Sequence, residues 1–78
     1  MTWLRCVAKD GAFSDETIVE VHTADGKDLS FFVPKEKVKD KQRVEVHVKR
    51  NGANTWATLP TADPFSAILV RSSDLIEG

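Results

Sequence analysis

The tetrapeptide Val-Glu-Val-His occurs twice in this chain, at residues 19–22 and at residues 44–47. The first copy leads to the dipeptide Asp25-Gly26 and the second to Asn51-Gly52, and each copy closes on an apolar residue followed by proline. Strict alternation of valine with polar residues is the period of a half-buried β-strand. Asp-Gly and Asn-Gly favour the type I′ turns that join hairpin strands. The repeat therefore predicts two consecutive β-hairpins.

Outward from the hairpins, the rest of the chain also shows strand patterns and turn signals, with no helical period of useful length. The proline at position 34 suits the first position of one short helical turn over residues 34–38. The apolar run in 66–71 predicts burial on both faces, and Ser72 or Ser73 is expected to cap a terminal turn. The predicted strands cover residues 2–8, 17–23, 28–33, 43–50, 54–59 and 66–71.

Five or six short strands at close spacing predict an all-β fold, a small antiparallel barrel or sandwich. The order of hairpins, with one helical turn after Val33-Pro34 and a short closing strand, resembles the small SH3-like β-barrels of bacterial type. The resemblance implies a partly closed barrel spanning residues 1–78. It does not carry proline-peptide binding to this chain, because tyrosine is absent and no acidic aromatic cluster occurs. An OB-fold is the alternative architecture, although its helix between strands has no counterpart here.

Composition limits the classes of protein that need to be considered. Seventy-eight residues, 41% of them hydrophobic and 29% charged, predict one small globular domain. The single cysteine excludes an internal disulfide. The first residues lack the apolar run of a signal peptide, and no apolar run approaches the length of a membrane span. These features predict a cytoplasmic protein with no membrane association.

The charges are distributed unevenly along the chain. Residues 35–50 contain seven basic and three acidic residues, a net charge of +4, whereas the remaining residues carry −5. Several cations near an aromatic on which a base can stack are typical of nucleic-acid binding barrels. RNA or DNA binding is therefore an alternative function, although a sequence pI of about 6.1 and the solvation of lysine-rich loops speak against it. Its candidate residues are Lys39, Lys41, Lys49 and Arg50, with Trp56 on the following strand.

Large aromatic side chains give a second candidate surface. Phe31 and Phe32 are adjacent, so strand alternation places them on opposite faces, and Phe32 is expected to lie outside. Together with Trp56 and Ile18 it would form an apolar patch for a partner protein or for a second copy of the chain. The competing interpretation is a second small core beneath the loops 9–16 or 60–66.

Two further groups of residues are weaker candidates for a site. The Glu-x-His pairs, Glu20/His22 and Glu45/His47, each share one strand face and would suit zinc only if both strands were neighbours. Outward-facing glutamate and histidine are ordinary, so no metal is predicted. Cys6 with a histidine would need a pocket for nucleophilic catalysis, but its alternation with Leu4 and Ala8 points it inward as a small buried hydrophobe.

The sequence therefore predicts a non-catalytic binding or interaction module that uses exposed aromatics and a strand edge and needs no cofactor. The expected partner is an unidentified protein or a second copy of the chain. The second hairpin is favoured over the first, because it carries cations and Trp56 where the first carries Ala24, Asp25 and Ser30. The candidate binding residues are Phe32, Lys39, Lys41, Lys49, Arg50 and Trp56.

Overall fold

The fold consists of two sheets of antiparallel strands. The computed structural model describes residues 1–10, 15–61 and 67–78. Within these residues the strands are β1 (Thr2–Arg5), β2 (Val7–Asp10), β3 (Glu16–His22), β4 (Asp28–Pro34), β5 (Val38–Lys39), β6 (Arg43–Asn51), β7 (Asn54–Thr58), β8 (Ala67–Val70) and β9 (Leu75–Glu77). The larger sheet has the order β8-β7-β6-β1-β9, with β5 paired to β6, and the smaller sheet has the order β2-β3-β4.

This architecture confirms the prediction of an all-β fold with antiparallel pairing. Over the described residues the pairings do not close into a barrel. The two predicted hairpins are β3–β4 and β6–β7, and they lie in different sheets. No helix in the described part of the chain is long and apolar enough to cross a membrane.

The core lies between the inward faces of the hairpins. Alternate residues of β3 are buried, from Thr17 through Val19 and Val21, and the same pattern continues at Thr23. Burying a valine side chain contributes about 1.5–3 kcal/mol. The inward residues of β1, β4, β6, β7 and β8 complete the core: Leu4, Phe31, Val33, Val44, Val46, Ala57, Ile68 and Val70, with Cys6 and Leu59 beside them.

The described residues form more strands than the sequence predicts, for three reasons. The predicted strand 2–8 is divided at Cys6, because β1 pairs with β6 and β2 pairs with β3. Residues 38–39 form β5 after the predicted helical turn, which is a 3₁₀ turn at Lys35–Lys37. Residues 75–77 form β9, which pairs with β1 and has no counterpart in the sequence prediction.

The turns differ from the predicted geometry as well. At Asp25-Gly26 only Gly26 has positive φ (+86°), and its N–H donates to Thr23 C=O over 3.1 Å, so Ala24 and Asp25 form an ordinary turn followed by a glycine bulge. At the second hairpin Asn51 pairs with Asn54, and Gly52 (φ +62°) is the first of two loop residues. That is the pattern of a type II′ turn, which is primed but begins one residue later than predicted.

Two predictions at the C-terminal end were wrong. The run at 66–71 is not buried on both faces: in Ala67–Val70 exposed Ala67 and half-buried Leu69 alternate with buried Ile68 and Val70. The 3₁₀ turn Ser72–Asp74 has Arg71 at its N-cap and no side-chain cap bond, so neither serine caps it.

Candidate binding surface

The exposed tryptophan of β7 lies in a regular row of side chains on the outer face of the larger sheet. Trp56 is 39% exposed, whereas its neighbours Thr55 and Ala57 point inward and are buried. Lys49 of β6 lies directly opposite Trp56 on one side, and Leu69 of β8 lies opposite it on the other. We call the side chains of Lys49, Trp56 and Leu69 the Trp56 surface. It combines a flat aromatic, an aliphatic side chain and a cation.

A shallow groove adjoins the Trp56 surface where the first hairpin approaches β8. The N–H of Ala24 donates a hydrogen bond of 2.8 Å to Leu69 C=O, which holds the β3–β4 turn against the edge of β8. One wall is formed by Trp56 of β7 and by Ala67, Ile68 and Leu69 of β8. The hairpin contributes Thr23, Asp25, Lys27 and Leu29. The groove therefore places apolar area next to a charged turn.

The charged turn is held together by its own hydrogen bonds. The Thr23 hydroxyl donates to the Asp25 carboxylate and accepts from the Lys27 N–H at 3.0 Å. The bond from Thr23 is the main cause that lowers the pKa of Asp25, and the nearby Lys27 ammonium adds to it. Asp25 therefore remains ionised at neutral pH, and Lys27 Nζ lies 3.8 Å from its carboxylate.

The predicted basic segment does not form one patch. Lys39 and Lys41 lie at the turn that precedes β6, whereas Lys49 and Arg50 lie at its far end. Six to seven strand residues separate the two groups, which corresponds to about 20 Å. Two other cations of the segment are engaged in ion pairs, Lys37 with Glu45 at 3.2 Å and Arg43 with Asp40 at 3.3 Å.

Phe32 lies on a different sheet from Trp56. It is 47% exposed on the outer face of β4, opposite Ile18 of β3, and Ile18 is in turn opposite Lys9 of β2. Val7, two residues from Lys9 on the same face, is 55% exposed. Phe32 and Ile18 are therefore neighbours, as the patch interpretation requires, but Trp56 does not belong to their patch. The competing interpretation has a second small core beneath the loops 9–16 or 60–66. Residues 11–14 and 62–66 of these loops lie outside the described residues.

Among the described residues, a stretch of strand edge beside the Trp56 surface has no partner strand. β1 covers one edge of β6 only from Arg43 to Val46, and its Thr2 is opposite Val46. Past that point an open groove is lined by Met1, Val48 and Arg50, among others. The other edge of β6 is paired with β7 from His47 to Asn51. The backbone of Val48 and Arg50 thus forms an available edge, which we call the β6 edge.

The two Glu-x-His pairs do not converge. Their strands, β3 and β6, belong to different sheets. His22 contacts the Asp28 carboxylate across the first hairpin, and His47 lies opposite Thr58 in the second. No group of three or more His, Cys, Asp or Glu side chains with a metal-binding arrangement occurs among the described residues.

Cys6 is part of the core cluster and is only 6% exposed. Burial raises the pKa of its thiol to about 11, so the thiolate needed for nucleophilic attack is scarce at neutral pH. This residue serves packing at the point where β1 passes into β2.

Comparison with known proteins gives no relative: no family model, no curated protein and no solved structure matches this chain. The placement of the candidate residues therefore rests on the geometry described above. That geometry brings Lys49 together with Trp56, and it leaves Arg50 at the neighbouring edge. Phe32 and the pair Lys39 and Lys41 lie elsewhere. Sequence reasoning missed the groove and the open part of β6, since both depend on how the strands pair.

Proposed function

We propose that this chain is a non-catalytic module that binds a partner protein through the Trp56 surface. The observation that carries the proposal is the exposure of Trp56 between Lys49 and Leu69, on a paired sheet whose backbone is held by neighbours on both sides. Tryptophan is enriched among the residues that dominate binding energy at protein interfaces. A rigid strand presents such a side chain with little loss of conformational freedom on binding.

Neighbouring features support protein recognition over a small-molecule reaction. The groove beside Trp56 is shallow and open, and its charged turn, Asp25 and Lys27, could fix the orientation of a partner chain. The β6 edge offers backbone hydrogen-bonding groups within the same part of the sheet. Both features suit an extended polypeptide.

We also propose that the fold is an SH3-like, partly closed barrel and that the protein acts in the cytoplasm. Two hairpins in sequence, a 3₁₀ turn directly after Val33-Pro34 and a short final strand support the fold assignment. A single, unpaired and buried cysteine supports a reducing compartment.

Nucleic-acid binding is the second candidate function, because Lys49 lies directly opposite Trp56. A cation beside an aromatic is the arrangement on which a base stacks while its phosphate is neutralised. The separation of Lys39 and Lys41 from this pair leaves few cations for successive phosphates. Protein binding is for this reason the leading proposal.

A random peptide library, selected in parallel on three proteins, tests the leading proposal. We expect enriched peptides that bind the wild type and bind Trp56→Ala at least about tenfold more weakly, the usual effect of removing a binding hot spot. Phe32→Ala is the matched control, because it removes an exposed aromatic from the other sheet. Selection that enriches no peptide, or peptides that bind Trp56→Ala and wild type equally, would overturn the proposal.

Two measurements address the remaining candidates. Sedimentation over a range of concentrations, with wild type and Trp56→Ala, reports self-association through this surface. Gel shifts with single-stranded and duplex RNA and DNA at two salt concentrations report nucleic-acid binding, whose affinity should fall steeply with salt. Tight, salt-sensitive binding that Lys49→Ala abolishes would replace the leading proposal with the second candidate.

A further inference from the structure

The direction of the backbone groups at the β6 edge follows from the hydrogen bonds of the paired part of the strand. In an antiparallel pair, alternate residues of a strand turn their N–H and C=O toward the partner. Cys6 N–H donates to Gln42 C=O over 2.8 Å, so the hydrogen-bonded positions on this side of the strand are the even-numbered ones. Val48 and Arg50 continue that series, and their N–H and C=O therefore point to the side that β1 leaves uncovered.

The opposite side of β6 gives the same result independently. The two-residue loop that joins Asn51 to Asn54 makes these two a hydrogen-bonded pair, so the odd-numbered residues of β6 bond to β7. Lys49, opposite Trp56, is one of them. Val48 and Arg50 are consequently the residues whose backbone groups β7 does not use. Two N–H groups and two C=O groups, those of Val48 and Arg50, therefore face the open groove.

We infer that the β6 edge binds an acidic, extended peptide as an added strand, antiparallel to β6 and in line with β1. This inference rests on the proposed function and names the chemistry of the partner. Strand addition to an exposed sheet edge is an established mode of peptide recognition, in which main-chain hydrogen bonds hold the peptide and alternate side chains select it.

The charges around the β6 edge favour a partner peptide with negative charge. Lys49 and Arg50 flank the open stretch and form no ion pair within the described part of the chain. Glu45, the acidic residue of β6, is already paired with Lys37. Opposite charges in directly facing strand positions are favourable and like charges are unfavourable. An acidic residue is therefore expected opposite Lys49 and another opposite Arg50.

The register also favours an apolar residue at one position of the peptide, the position that faces Val48. A peptide residue facing Val48 shares the inward side of the sheet with Val48, which packs against the core. If the β1 register is continued by one residue, Met1 lies opposite His47. The peptide therefore cannot pair with His47 and has to leave the sheet after the residue that faces Val48. In the direction of the peptide chain, the expected motif is acidic, acidic, apolar.

A second copy of the chain is a poor occupant for the same edge. Met1 blocks any register that uses His47, and the remaining two-fold pairings place Lys49 opposite Lys49 or Arg50 opposite Arg50. Like charges directly opposite are destabilising. The charge pattern thus disfavours self-association through β6 and favours an acidic partner.

The test is a titration of the intact chain with the peptide Thr-Thr-Thr-Glu-Glu-Val-Gly-Ser, acetylated at its N-terminus and amidated at its C-terminus. Binding is monitored by NMR of the backbone amides of the protein. We expect the amide protons of Val48 and Arg50 to shift downfield and to exchange more slowly with solvent, while the amide of Lys49, already bonded to β7, changes little. The peptide in which both glutamates are glutamine should bind more weakly, by about 1.4- to 5-fold for each charge pair lost.

Backbone methylation separates strand addition from any other mode of binding. N-methylation of the peptide valine removes the N–H that would donate to Val48 C=O and should weaken binding at least about tenfold. N-methylation of the second glutamate is the matched control, because that N–H points away from β6, and it should change affinity less than about twofold. Equal effects of the two methyl groups would overturn the inference.

Charge reversal in the protein completes the test. Arg50→Glu should weaken binding by about fivefold or more, whereas Lys41→Glu makes the same change in net charge at the far end of β6 and should change affinity less than about twofold. No binding of the peptide also overturns the inference. If a peptide library yields Trp56-dependent peptides that leave the Val48 and Arg50 amides unchanged, the edge inference fails and the proposed function stands; if it yields none, the proposed function itself fails.

Discussion

The N–H of Ala24 donates a 2.8 Å hydrogen bond to the C=O of Leu69, and this contact joins the two sheets beside the exposed Trp56. Ala24 belongs to the turn of the first hairpin, and Leu69 belongs to the edge strand β8. The bond therefore protects the edge of β8 and also forms one end of the groove that adjoins the Trp56 surface.

Substitution Ala24→Pro is expected to remove this bond while keeping the turn. Ala24 is the first central residue of a turn that Gly26 N–H closes onto Thr23 C=O, a position that proline favours. The loss of one hydrogen bond costs about 0.5–1.5 kcal/mol, partly offset by the stiffer unfolded chain. Urea unfolding measures the change, and faster amide exchange in β8 locates it. Ala24→Ser, which keeps the N–H, is the control, and slow exchange in β8 of the proline variant would contradict the role of the bond.

Lys41→Gly is expected to stabilise the protein. Asp40 (φ 56°) and Lys41 (φ 57°) both adopt left-handed backbone conformations, and Gln42 N–H donates to Lys39 C=O over 3.1 Å, the pattern of a type I′ turn. A left-handed conformation costs about 1–2 kcal/mol for an ordinary residue, whereas glycine gives back about 0.5–1 kcal/mol through its freer unfolded chain. The net gain should be about 0.5–1 kcal/mol by urea or thermal unfolding. At the adjacent Gln42, which lacks positive φ, the same change to glycine should destabilise.

Cys6 is expected to make stability fall in alkaline solution. Burial raises its pKa from 9.0 to about 11, so the native state favours the protonated thiol more than the unfolded state does. The resulting stability is fully present below pH 9 and is lost as the pH rises through 11. The difference in unfolding free energy between wild type and Cys6→Ala should therefore be constant at neutral pH and shrink over that interval. A thiol reagent at pH 8 provides an independent check: labelling of Cys6 should be slow in buffer and fast in urea.

Asp25 is expected to contribute stability that disappears in acid. The Thr23 hydrogen bond is the first cause of its lowered pKa, followed by the opposing effect of desolvation and then by Lys27. A lowered native pKa gives stability that is present above the ordinary value of 3.8 and is lost as the pH falls through the native value. Thr23→Val should move the carboxyl pKa of Asp25 back toward 3.8 in an NMR titration. An Asp25 carboxyl pKa that stays in place in Thr23→Val would contradict the role of this hydrogen bond.

Alternation in the repeat was enough to predict the hairpins and the face on which each residue lies. The inward valines of β3 and β6 and the exposure of Phe32 and Trp56 all follow from the two-residue period of a strand. That period concerns only the strand itself, so it could not show that Phe32 and Trp56 belong to different sheets. The prediction that these two aromatics form a single patch was wrong for that reason.

Features that depend on pairing between distant segments were the ones that the sequence did not show. Strand β9 has three residues, and its partner β1 is more than seventy positions away, so no local pattern marks it. The division at Cys6 likewise arises because β2 turns toward β3 while Gln42 and Lys41 accept the N–H groups of Cys6 and Ala8. The turn at Asp40-Lys41 was hidden because neither residue is glycine. Within the described residues, β6 extends past its pairing with β1, and only the strand register shows this.

The pairing of β9 with β1 brings the two ends of the described chain together, since Gly78 N–H donates to Met1 C=O over 3.0 Å. A few residues could therefore link position 78 to position 1 without disturbing the sheet. New ends opened between Gly52 and Ala53, in the exposed loop of the second hairpin, would give a circularly permuted protein with the same strand pairings. In that protein β6 and β7 would be the terminal strands, and their hydrogen bonds would have to form without a covalent turn between them.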